Sequence, residues 1–218
     1  MRVLIVLATA LLLVAAPLYA QSTRGYVGAA GGFAVAPDGT SGDVVGEAGA
    51  RIAPNLFLFA DLGQFHNLQP SQLQPAVDAT DAALSADGLS VVGKARVPAW
   101  YSMGGLRWTI PTSTRVSPYV FGGAGFARLT PSAQFTYSAG TLPGATPIVG
   151  DDVTSQLVSL GDFAQPQPST AFMFAAGGGV ETPIAPHLVA NVGYRVSRVA
   201  ADTPLNAQSM TFGIGYRF

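Results

Sequence analysis

Eight stretches of the chain alternate large apolar side chains with small or polar ones, or punctuate that pattern with glycine. They cover residues 24–35, 44–53, 56–65, 98–110, 116–129, 170–182, 187–199 and 208–218. Successive side chains of a strand point to opposite faces, so a period of two predicts a strand with one apolar and one wettable wall. The final stretch shows the pattern most clearly: Met210, Phe212, Ile214, Tyr216 and Phe218 fall on one wall, and Thr211, Gly213, Gly215 and Arg217 on the other. Each stretch is long enough for a strand that crosses a bilayer at a steep tilt, which takes about 9 to 11 residues. An even number of crossings returns both ends of the series to one side.

The connections divide into two kinds. Pro54-Asn55, Pro111 to Arg115 and Pro183 to Pro186 are short and carry proline, which cannot donate to a ladder and so ends a strand. Residues 36–43, 66–97, 130–169 and 200–207 form longer links. Strict alternation of short and long is what short periplasmic turns and long outward loops produce. Nine of the twelve acids, Asp38, Asp43, Asp78, Asp81, Asp87, Asp151, Asp152, Asp162 and Asp202, lie in or at the edge of long links, leaving Glu47, Asp61 and Glu181 in strands. Within the second long link, Pro75 to Leu84 reads either as a short helix with proline in its first turn or as solvated loop.

Residues 1–20 change the meaning of the apolar walls. Arg2 is followed by an apolar run from Val3 to Ala16, a break at Pro17, and Leu18-Tyr19-Ala20 before Gln21, the order of a secretory signal. About fourteen apolar residues are too few for a spanning helix, which needs roughly twenty. The expectation is therefore a cleaved signal over 1–20 and a single domain over 21–218. Removing Arg2 from the 11 basic residues leaves ten against 12 acids, a net charge of −2. Charged residues make up 11% of the chain, under half the roughly 25% of a soluble domain, and no later apolar run is long enough for a membrane helix. The remaining way to cross a bilayer with every backbone group paired is a closed barrel. The expected fold is all-β: an eight-stranded antiparallel up-and-down transmembrane β-barrel with short periplasmic turns and long extracellular loops. The alternative, a soluble periplasmic barrel or sandwich, would bury the same walls in its own core. Absence of cysteine excludes disulfides and thiol chemistry, and the lack of a basic excess argues against nucleic acid as a partner.

Parity assigns the faces. Trp100 and Trp108 share a face of the fourth stretch, about 26 Å apart along a strand and about 20 Å along the membrane normal once the strand is tilted. That spacing suits one tryptophan at each edge of an apolar band, with Tyr194 joining the outer edge of this aromatic girdle and Tyr216 and Phe218 the periplasmic edge. Arginine on the lipid face at mid-depth costs about 2–4 kcal/mol, so the strand charges Glu47, Arg51, Asp61, Arg107, Glu181, Arg195 and Arg217 are expected to turn into the lumen and pair. Glu47, Asp61 and Arg195 fall in the upper or middle lumen. Arg51, Arg107, Glu181 and Arg217 lie nearer the periplasmic rim, where they either pair inside or reach headgroups. Alternation does not resolve the faces of Tyr119 to Phe126, and Arg128 stays unassigned.

The signal, the eight strands and alternating links, the glycine-rich runs Tyr119-Val-Phe-Gly-Gly-Ala-Gly125 and Phe174-Ala-Ala-Gly-Gly-Gly-Val-Glu181, and the terminal Gly-Tyr-Arg-Phe218 resemble the small outer-membrane barrels of the OmpA/OmpX type. The resemblance covers the whole chain after the signal. It implies an outer-membrane location in a Gram-negative-type bacterium, contact with outer-membrane lipid and lipopolysaccharide, and delivery by the barrel assembly machinery, with Phe212, Ile214, Tyr216 and Phe218 carrying the assembly signal. The chain stops at its last strand, so the peptidoglycan-binding domain of larger relatives, and tethering to the cell wall, are not expected.

Candidate chemistry is sparse. The two histidines, His66 and His187, fall on opposite sides of the membrane in this topology and cannot share a metal or a catalytic centre. A lipid hydrolase would need His66 as base, with Ser71, Ser85, Asp78 or Asp81 as loop partners, and no spacing links them. Gly122-Gly-Ala-Gly125 and Gly177-Gly-Gly179 lack the lysine and hydroxyl of a phosphate-binding loop and lie inside strands. Close packing in a small barrel explains them better. No metal, cofactor or catalytic residue is expected. The leading functional expectation is a non-enzymatic outer-membrane barrel whose surface loops serve a structural, adhesion or interaction role, its external ligand unspecified. A small porin-like channel is the alternative, separable by planar-bilayer conductance, and a lipid hydrolase stands behind both.

Overall fold

The computed structural model describes residues 24–36, 39–68, 73–201 and 204–218. The expected signal over 1–20 lies outside them, as do Asp38, Ser71 and Asp202. Ten strands form. Eight of them, β1 (Gly25–Ala36), β2 (Gly39–Ala53), β3 (Leu56–Phe65), β5 (Ala99–Thr109), β6 (Ser117–Leu129), β8 (Ser169–Pro183), β9 (Leu188–Ala200) and β10 (Leu205–Arg217), close into an antiparallel barrel in chain order. Closure comes from β1, which pairs with β10 over Tyr26↔Arg217 to Val35↔Gln208 and with β2 over Gly25↔Ala50 to Ala36↔Gly39. No edge strand is left to template association with another chain. Every predicted stretch corresponds to one barrel strand.

The connections depart from the predicted alternation at two places. β2 already begins at Gly39 and β10 at Leu205, so the first and fourth long links shrink to a few residues and are as short as the turns at the other end. The ladder is made by backbone groups, which pair wherever a neighbour runs alongside. The small residues Gly39-Thr-Ser-Gly42 therefore continue the strand opposite Phe33–Ala36. Asp43, expected at a loop edge, is inside β2 and 1% exposed.

The remaining two long links are not simple loops. Residues 66–98 contribute helix α1 (Leu73–Ala86) and strand β4 (Leu89–Arg96); residues 130–168 contribute strand β7 (Ser132–Gly140) and helix α2 (Thr154–Leu160). Of the two readings of Pro75 to Leu84, the helix is the one found. β4 and β7 pair as a two-stranded antiparallel sheet, Leu89↔Gly140 to Arg96↔Ser132. Its inward positions join the helices in a second apolar core: Val77, Leu84, Leu89, Val91, Ala95, Ala133, Phe135, Leu142, Val153 and Leu157. Both sheet edges are covered. On the β4 side, Asp81 and Gln74 of α1 accept from Gly93 N (2.8 Å) and Ala95 N (3.1 Å). On the β7 side, Tyr137 N and Val153 N bond Asp151 O and Phe135 O, and Thr154 Oγ accepts from Phe135 N at 2.8 Å. This cap stands on the barrel end opposite the termini.

Candidate functional site

The lumen is built in layers because inward positions recur every second residue on all eight strands. At the cap end the layer is apolar. Phe65, Leu68, Val97, Leu129 and Leu205 are each at most 6% exposed and belong to the barrel's own core. Leu68 and Val97, which frame the second long link, are pinned there by Leu68 N to Val97 O (2.8 Å), Val97 N to Asn67 Oδ1 (2.9 Å) and Asn67 N to Ser41 Oγ (2.8 Å). The cap's base is thus a stopper in the mouth.

Below the stopper lie two groups of charges. Arg195 donates to Asp61 (2.5 Å) and to the Tyr101 hydroxyl (2.9 Å), and Tyr101 donates to Asp43 (3.2 Å). One level nearer the termini, Arg107 donates to Glu47 at 2.9 Å and to Glu181, which also accepts from Arg217. The Arg107 guanidinium carbon stands 3.7 Å from the Tyr119 ring centre and 4.9 Å from that of Tyr26. Paired and ring-capped, this arginine keeps compensation for a charge that is 4% exposed at its side chain. A cavity of about 40 Å³ lies above it, lined by Glu47, Arg195 and lumen glycines, and one of about 330 Å³ opens at the terminus end. Tyr26, Arg107 and Glu181 line both cavities and form the partition between them.

Of the seven charges expected in the lumen, six meet there in these two groups: Glu47, Asp61, Arg107, Glu181, Arg195 and Arg217. For Arg107, Glu181 and Arg217, the structure selects internal pairing over reaching outward. Arg51 does not join them. Its side chain is exposed at the terminus-end rim, where it lines the larger cavity and Nε reaches Ala53 O at 3.4 Å; opposite Phe57, it keeps the inward parity but lies too near the strand end to reach the buried pairs.

Sequence reasoning missed Asp43 and the three lumen tyrosines, although all four lie on the inward parity of their strands. It also missed why the glycines are where they are. Tyr26, Tyr101, Tyr119 and Phe121 are each directly opposite a glycine on the neighbouring strand: Gly49, Gly63, Gly179 and Gly177. In each case an added Cβ would meet the ring. The rings lie across their glycine partners and fill the lumen, so the glycines are places for aromatic rings. Gly179→Val would overlap both the Tyr119 ring and the Val192 carbonyl oxygen. We expect it to cost about 1–3 kcal/mol by overpacking, read from the urea midpoint in lipid or detergent. Gly122→Ala, which meets nothing within 4 Å, should stay within about 0.5 kcal/mol of the parent.

The outer wall is apolar. Trp100, Trp108, Tyr194, Phe212, Ile214, Tyr216 and Phe218 all point outward and are 46–62% exposed. Trp100 and Trp108 stand near the two ends of β5, and Tyr216 and Phe218 at the terminus end. Tyr194, expected at the outer edge, is instead the middle residue of the 13-residue β9, on one ladder row with Trp108, Val120 and Gly178. β9 crosses the full height of the wall, paired with β8 on one side and β10 on the other, so a residue midway between its two ends lies at mid-wall. Its hydroxyl bonds Gln208 Oε1 at 2.7 Å. Arg128, unassigned from the sequence, points outward.

The histidines stand at opposite barrel ends. His66 is exposed beside the cap; His187 stacks on Tyr216 at the terminus end, with Nδ1 3.0 Å from Arg217 O. Asp78 and Asp81, considered as partners for His66, are engaged within the cap by Gln74 and Gly93. No group of three metal-ligating side chains occurs among the described residues. In the cap, the Thr154 hydroxyl (2.6 Å) and backbone N–H (3.0 Å), with Gln134, hold the Asp152 carboxyl below its usual range.

Comparison with known proteins agrees with this architecture. The family model for the outer membrane protein beta-barrel domain matches residues 6–218. Among solved structures, Neisserial surface protein A is 16% identical, with 89% of this chain and 96% of that chain covered and a TM-score of 0.52. A major outer membrane protein from Thermus thermophilus is 13% identical, with 91% and 100% covered and a TM-score of 0.51. Ail, the attachment invasion locus protein of Yersinia pestis, is 14% identical, with 90% and 97% covered and a TM-score of 0.48. At such identities the likeness is one of fold alone. No curated protein sequence matches the chain.

Proposed function

We propose that this chain, which belongs to the outer membrane protein beta-barrel domain family and resides in the outer membrane, is a non-enzymatic barrel that holds a folded cap outside the cell. In this reading both termini face the periplasm, and the exposed apolar wall meets lipid. The outward aromatics Trp100, Trp108, Tyr216 and Phe218 mark its edges, with Tyr194 between them. Phe212, Ile214, Tyr216 and Phe218, on one lipid-facing stripe, serve recognition by the assembly machinery.

The observation that carries the reading is the cap. Two separate links fold on each other into a core of ten buried residues, while the barrel beneath is stoppered and crossed by ion pairs. A chain that served chiefly as a conduit would keep its mouth open. The structure is better suited to presenting a surface, in a structural, adhesion or interaction role. Porin-like conduction is the competing reading, and the glycine-lined cavity of about 40 Å³ has room for only about one or two waters.

Orientation is directly testable because the chain has no cysteine. Ser155→Cys in the cap and Ile184→Cys in a terminus-end turn both place a thiol at an exposed position. A membrane-impermeant maleimide should label the first in intact cells and the second only after the outer membrane is permeabilised. The reverse pattern would overturn the proposed topology.

A further inference from the structure

Of the charged residues in the eight barrel strands, all but two turn into the lumen or sit at its terminus-end rim. The exceptions are Arg128 and Arg198, both exposed on the outer wall and both near the cap ends of their strands. Neither makes an ion pair among the described residues. Outward arginine is costly in the middle of the apolar band and nearly free at its edge, falling from about 2–4 to about 0–1 kcal/mol. Their location is therefore tolerated, but tolerance does not explain why the two outward charges among the described barrel-strand residues share a sign and a region.

Their surroundings suggest a reason. Arg128 and Arg198 flank β8: Arg128 lies opposite Thr170, and Arg198 opposite Phe174. Two strand spacings and four residues along β8 put their Cα atoms about 16 Å apart, so two extended guanidinium groups can converge on one headgroup. Between them lies an exposed aromatic floor. Phe126 is 61%, Phe172 48% and Phe174 47% exposed. Phe126 meets Phe172 edge to face at 5.9 Å, and Phe172 lies 6.5 Å from Phe174. Trp100 borders the site as the cross-strand partner of Arg128. Guanidinium forks recognise phosphate oxygens in pairs, and an apolar wall accepts acyl chains.

We propose that Arg128 and Arg198 clamp a single lipid whose headgroup carries at least two phosphates, the chemistry of lipopolysaccharide, with its acyl chains on the Phe126–Phe172–Phe174 floor. The proposal rests on the reading above that the cap end faces the outer leaflet. Binding to refolded protein does not depend on that orientation, so the two can fail separately.

Trp108→Phe leaves Trp100, the neighbour of Arg128, as the sole tryptophan and an emission reporter. The test titrates this refolded chain in zwitterionic detergent at about 0.15 M salt, where distant charges are screened, with lipopolysaccharide, phosphatidylglycerol or phosphatidylcholine. Lipopolysaccharide should bind at least tenfold more tightly than phosphatidylglycerol, and phosphatidylcholine should not register. Arg128→Gln with Arg198→Gln should weaken lipopolysaccharide at least tenfold, and the paired lysine replacements should restore part of that loss. A heat-dependent gel shift confirms that each variant is folded. Unchanged lipopolysaccharide binding by the glutamine pair would sink the clamp, and so would equal binding of phosphatidylglycerol, which signifies general attraction of anions.

Discussion

Arg107→Ala is expected to destabilise the barrel by about 3–5 kcal/mol, the cost of removing one member of a buried ion network and leaving the rest uncompensated. Glu47 and Glu181 would then lose the guanidinium that they share, and the rings of Tyr119 and Tyr26 would lose the cation between them. Arg217 remains on Glu181 but is itself a third exposed, so it replaces little of what is lost. The check is the urea midpoint of the refolded chain, followed by the heat-dependent gel shift. Combining Arg107→Met with Glu47→Gln and Glu181→Gln should recover most of the loss, because a buried ion group replaced as a whole by neutral side chains of similar volume is often tolerated. A loss below about 1 kcal/mol for the single alanine would mean that the network is not a structural crossbar.

The same variant bears on conduction. It removes the partition between the two cavities but leaves the stopper of Phe65, Leu68, Val97, Leu129 and Leu205 in the mouth, so neither parent nor variant should show discrete openings in a planar bilayer. Steady openings in the parent would favour the porin-like reading instead.

Phe135→Ala is expected to unfold the cap while the barrel persists. Phe135 is fully buried and meets Phe163 edge to face at 4.9 Å, and truncating such a ring costs about 3–5 kcal/mol. A core of only ten residues has little stability to spare. The barrel, by contrast, is held by its own closed ladder and separate core. Limited proteolysis should cut the variant within residues 73–96 and 132–160, while the barrel keeps its heat-dependent mobility. If the barrel form disappears together with the cap, the two are one cooperative unit; if cleavage does not change, the cap does not depend on that ring. The first result would refute the independence of cap and barrel, the second the role of Phe135 in holding the cap.

Much of this molecule was legible in the order of its residues. The eight strands and the faces of most of their residues outside the run from Tyr119 to Phe126 follow from a period of two, because a strand cannot turn one side chain inward without turning its neighbours outward; their antiparallel order follows from the short turns between them. The lumen charges followed from the cost of placing them against lipid. Tertiary structure decided the rest. Which glycine sits opposite Tyr119 or Tyr101 depends on register between strands, and no single strand carries that information. Arg128 could not be assigned a face within a run of glycines, where alternation has nothing large to alternate. The cap was invisible for a related reason. Val92 pairs with Thr136 across more than forty intervening residues, and a short alternating segment such as Leu89–Arg96 finds a partner only when the barrel brings the two links to the same mouth. Local periodicity thus determined the wall; long-range pairing decided the lumen's internal contacts and the cap, because both depend on contacts between strands and not on any one of them.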